Sequence, residues 1–62
     1  MIDLKTLYEQ TTLYCELVET IHHPAYKIEI FHQPDTPLFV FAYWNYDTNT
    51  LHSIAYQTKG EN

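Results

Sequence analysis

The chain has 62 residues, a formal net charge of −5, one cysteine and only three basic side chains, all of them lysines. One cysteine excludes an intrachain disulfide framework. The lack of any Lys/Arg cluster argues against direct binding to nucleic acid or to an anionic membrane. Hydrophobic residues make up 45% of the chain against 18% charged, which excludes a disordered tail and fits one globular domain spanning 1–62.

A domain this small buries only about 60% of its unfolded surface, and such chains commonly gain stability by oligomerising. The lone thiol, Cys15, and an N-terminus without leader features predict a reducing, cytoplasmic setting. The longest apolar run is too short to cross a bilayer.

Taken in chain order, Asp3 predicts a helix N-cap, with the helix opening at Leu4. At 100° per residue, Leu4, Leu7, Thr11, Tyr14, Val18 and Ile21 form one stripe, flanked by Tyr8, Cys15 and Leu17. Lys5, Glu9, Glu16, Glu19 and His23 lie opposite. The pattern predicts an amphipathic helix of about five turns, stopped by Pro24 because a residue before proline avoids the α region. Val18 falls near the centre of the stripe, so a carboxylate there is expected to abolish folding.

Three β-rich runs follow, over 25–33, 38–46 and 51–58, separated by Pro34-Asp35-Thr36-Pro37 and Asp47-Thr48-Asn49-Thr50. Residues 59–62 are expected to fray. Short connections predict an antiparallel meander. The expected fold is therefore α+β, one N-terminal helix on a three-stranded antiparallel meander.

Residues 38–44, Leu-Phe-Val-Phe-Ala-Tyr-Trp, are apolar at both parities, so the central strand is greasy on both faces. Tyr26, Ile28, Ile30, His32, Phe39, Phe41, Tyr43, His52, Ile54 and Tyr56 should share the more apolar face, beneath the helix. The other face carries Phe31, Leu38, Val40, Trp44, Tyr46 and Leu51, and these six are the expected protein interface. A bulge in either turn would exchange one strand's assignment.

No pattern names a reaction. Ser53, the only serine, lacks a nucleophile elbow, and Cys15 flanks a buried stripe. Adjacent His22 and His23 do not have zinc-ligand spacing and suit a helix C-terminus. No catalytic, cofactor-binding or metal residue is assigned. The acidic set Glu9, Glu16 and Glu19 reads first as a solubilising helix face, and second as a mimic of nucleic-acid charge. The expected function is a small acidic, non-enzymatic interaction module, a regulator or inhibitor of another protein. An anti-defence protein of a phage or mobile element is one concrete form. A homodimeric structural or assembly factor is one alternative. A metal or small-ligand binder using His32, His52 and neighbouring tyrosines is another.

Overall fold

The computed structural model describes residues 3–58, so the expected fraying of 59–62 lies outside the described residues. The elements are α1 (Leu4–Tyr14), β1 (Glu16–His22), β2 (Tyr26–His32), β3 (Leu38–Asn45) and β4 (Thr50–Thr58). The class is α+β, as expected, but the sheet has four antiparallel strands in the order β1-β2-β3-β4 rather than three.

Helix α1 starts where the sequence places it. Asp3 is the N-cap, in extended conformation, and its Oδ1 accepts from Thr6 N at 2.9 Å. This bond to a backbone N–H holds the Asp3 carboxyl below its ordinary range. The helix ends nine residues sooner than the wheel suggests. Cys15 N donates to Thr11 O at 2.8 Å, and Cys15 itself is extended. Two features weaken a longer helix. Thr11 and Thr12 turn their hydroxyls back onto Leu7 O and Glu9 O, which competes with the helical ladder. The next run, Val18-Glu19-Thr20-Ile21, is mostly β-branched and favours strand. As β1, that run pairs with β2, whose outer edge would otherwise be unpaired. Pro24 then sits in the β1–β2 turn, closed by His23 N donating to Tyr26 O at 2.8 Å.

The two later turns fall where prolines and Asx residues predict them. Gln33-Pro34-Asp35-Thr36 closes with Thr36 N donating to Gln33 O, and Asp35 takes φ 65°. Proline second and a left-handed residue third is the type II pattern, and Asp tolerates that region better than most. In the β3–β4 turn, Asp47 N donates to Asn45 Oδ1, and Asn49 is left-handed at φ 54°.

Two bulges set which side chains share a face. One lies in β1 between Leu17 and Glu19, the other in β4 opposite Tyr43 and Trp44, where His52 is the extra residue. Beyond the second bulge, Ile54 and Tyr56 join Ala42 and Val40, while Ser53, Ala55 and Gln57 join Tyr43, Phe41 and Phe39. The expected faces of β4 are therefore exchanged from Ser53 onward, as a bulge in a turn requires.

The helix covers the face opposite to the expected one. Phe31, Val40 and Ala42 form the buried core, with Tyr8, Cys15, Leu38, Trp44, Leu51 and Ile54 packed against it. From α1, Tyr8 and Thr11 turn inward, joined by the C-cap Cys15, whereas Leu13 and Tyr14 stand in water. Val18, expected at the centre of a buried stripe, is 53% exposed in the edge-strand bulge. The Cα trace spans 37 × 28 × 18 Å. Among the described residues, the short dimension holds one sheet and one helix.

Candidate interaction surface

The helix docks through one polar knot. Glu29, on β2, faces α1 and is 12% exposed. Its Oε1 accepts from Tyr8 Oη at 2.7 Å and from Trp44 Nε1 at 2.8 Å. Lys27 Nζ lies 3.6 Å from Oε2 and 5.4 Å from the centroid of the Trp44 ring. Tyr8 also meets Phe31 and Trp44 edge to face, with centroids 5.9 and 5.2 Å apart. One carboxylate thus fixes helix, β2 and β3 together.

Burial first, then the bond to Glu29 and that carboxylate's charge, push the Tyr8 phenol from 10.0 up to about 12. The fold favours the neutral phenol. Its contribution is complete below pH 10.0 and is lost as pH rises toward about 12. The urea midpoint is therefore expected to fall across that window, and Tyr8→Phe to flatten the fall. An equally steep fall in the variant would assign the alkaline loss to another group.

The six residues expected at an interface do not form an open surface. Phe31 and Val40 are 4% and 1% exposed beneath α1, and Leu38, Trp44 and Leu51 pack around them. Tyr46 lies past the end of β3, where its hydroxyl meets His22 Nδ1 and the two rings stack. The acidic set does not share a helix face either. Glu9 is on α1, whereas Glu16 and Glu19 are on β1, all three exposed. His32 and His52 sit toward opposite ends of the sheet. His32 pairs with Phe39 and reaches Thr36 O at 2.7 Å, while His52 occupies the bulge near Trp44. Among the described residues, no three His, Cys, Asp or Glu side chains are placed to hold one ion. Burial raises the Cys15 thiol above its ordinary value, which suits a packing group better than a nucleophile.

A groove of about 510 Å³ runs along the N-terminal half of α1, between Leu4, Tyr8, Trp44 and Leu51, with Lys5 and Glu9 at its rim. Its inner polar atoms, Tyr8 Oη and Trp44 Nε1, are already bonded to Glu29.

The uncovered face is the one expected to carry the helix. Ile21, Ile28, Ile30, Phe39, Phe41 and Tyr43 point away from α1 in adjoining positions of β1, β2 and β3. Each is only partly buried, because its neighbours on the sheet shield it sideways and no described element lies over it. A shallow trough of about 370 Å³ crosses the patch from Val18 and Glu19 to Gln57, floored by Ile30, Phe39 and Phe41. These residues were visible in the sequence as an apolar alternation. What was missed is that the less apolar face, carrying Lys27 and Glu29, is the one α1 covers. The available signal was Tyr8 on the helix, a donor that Glu29 alone can answer among the acids facing inward. Among the described residues, no helix is long and apolar enough to cross a membrane. Comparison with protein-family models, curated proteins and solved structures finds no match for this chain.

Proposed function

We propose that the chain is a small, acidic, non-enzymatic protein-interaction module, a regulator or inhibitor, whose working surface is the open face of the sheet. One observation carries this: among the described residues, nothing lies over the apolar set centred on Ile28, Ile30, Phe39 and Phe41. Contiguous apolar patches of several hundred Å² are uncommon on monomers and mark contact surfaces. The non-enzymatic reading is supported by the groove beside α1, where Tyr8 Oη and Trp44 Nε1 are both engaged by Glu29 rather than turned toward a ligand.

Phe41 is the test position, since it is central on the open face and not part of the core. Phe41→Lys should leave the far-ultraviolet circular dichroism intact. It should weaken association by on the order of thirtyfold or more, as loss of a central aromatic anchor does. Sedimentation of the purified protein and co-purification from source-cell extract read the result. A soluble monomer at high concentration that recovers no partner would overturn the proposal.

A further inference from the structure

We infer that the occupant of the open face is a second copy of this chain, packed face to face about a two-fold axis parallel to the strands. This rests on the open face being an interface, and it names the partner.

The first support is charge. Cross-strand pairing arranges the face in rows. One row runs Glu19–Ile30–Phe41–Ala55 and the next Ile21–Ile28–Tyr43–Ser53. The centre is neutral and bulky. The acidic side chains, Glu16 and Glu19, are confined to the β1 edge, and the β4 edge offers the small or neutral Ser53, Ala55 and Gln57. A two-fold parallel to the strands lays β1 over the second copy's β4, and β2 over its β3. Glu19 then meets Ala55, Ile30 meets Phe41, and Ile28 meets Tyr43. The alternative two-fold, across the strands, would stack β1 on β1 and oppose the glutamates with themselves. Like charges across an interface are strongly unfavourable. The face is therefore self-complementary in one orientation.

The second support is area. Four strands about 4.8 Å apart, with seven or eight residues at about 3.3 Å each, make a face of about 19 by 25 Å. Its footprint is on the order of 500 Å². Two such faces together bury on the order of 1,000 Å², the lower bound for a specific interface. Aligned sheet packing, about 10 Å between sheets and about 30° between strand directions, suits two twisted copies.

A charge-swap experiment tests the orientation as well as the partner. Sedimentation equilibrium should give twice the 7.4 kDa chain mass. Ala55 is exposed and outside the core, so Ala55→Glu should fold normally. It sets a second carboxylate against Glu19 of the other copy, and the dimer dissociation constant should rise on the order of tenfold or more. Adding Glu19→Lys should restore the dimer to near its original strength. Within one chain these positions are about three strand spacings, roughly 14 Å, apart. That exceeds the screening length of about 8 Å at physiological salt. Glu9→Lys, on α1 and away from the face, makes the same change in net charge and should not restore the dimer, so recovery with Glu19→Lys alone reports contact between copies. A dimer indifferent to Ala55→Glu overturns the arrangement. A monomer that captures a different protein through Phe41 overturns the second copy but keeps the interaction module, and a monomer that captures nothing overturns both.

Discussion

Val40→Asp is expected to leave a chain with no cooperative unfolding transition. Val40 is 1% exposed and lies under α1, between Phe31 on β2 and Tyr56 on β4. Replacing it forfeits about 1.5–3 kcal/mol of apolar burial. It also buries a carboxylate in an apolar core, at a cost of several kcal/mol more. A single core of this size rarely supplies more than about 3–5 kcal/mol, so the sum exceeds what the fold can lose. Val18→Asp is the matched control, the same substitution at a half-exposed valine of the β1 bulge. It should fold, with an effect confined to the rim of the open face. Thermal melts followed by circular dichroism separate the two. A cooperative melt in Val40→Asp, or its loss in Val18→Asp, would show that the core is not where these contacts place it.

The contrast between the two valines shows why part of the fold was legible and part was not. Local chemistry announced the helix start through Asp3, the turns through Pro34, Asp35 and Asn49, and the central strand through its two-sided apolarity. Each of these is a short-range preference that no tertiary contact overrides. The end of α1 is different. Tyr14, Val18 and Ile21 continue a helical period, and no glycine or proline intervenes before Pro24. The bulge in β1 is what hides the strand. Leu17 faces α1 and Ile21 faces away, so the run lacks the strict alternation by which an exposed strand is recognised. Its fate is decided by the unpaired edge of β2, a partner far enough along the chain to be invisible to a periodicity argument.

The candidate surface was legible to the same degree. That one sheet face would lack a cover followed from residues 38–44 alone. Which face it would be did not, because hydrophobicity favoured placing α1 over Ile28, Ile30, Phe39 and Phe41. The helix instead covers the face that can satisfy a polar group. Glu29 would be an exposed acid on an open sheet; under α1 it accepts from Tyr8 and Trp44. The bulge at His52 then brings Ile54 and Tyr56 to the same side, which supplies the apolar contacts this face lacks on β2. Two small irregularities and one hydrogen-bonded carboxylate therefore turn the expected molecule over, and with it the surface left for a partner.

Glu29→Ala is the second large expected effect, because it removes the common acceptor of that knot. The Tyr8 hydroxyl and the Trp44 indole N–H would both lose their partner in a half-buried setting. At about 1–3 kcal/mol for each stranded donor, the loss approaches the total stability of so small a domain. The Lys27 ion pair adds little, since Lys27 is 29% exposed at 3.6 Å. Glu29→Gln is the discriminating variant. Its amide oxygen can still accept both bonds while the negative charge is gone, so it should keep most of the stability that Glu29→Ala loses. If charge were the operative factor, the two variants would fall together. Tyr8→Phe should cost less than Glu29→Ala, and the double variant should cost less than the sum, because one shared bond is counted in both. Trp44 fluorescence gives an independent reading: in Glu29→Ala the emission should shift to the red as the indole loses its bond and meets water. Unchanged emission with unchanged denaturant midpoint would mean that α1 is held by its apolar contacts alone.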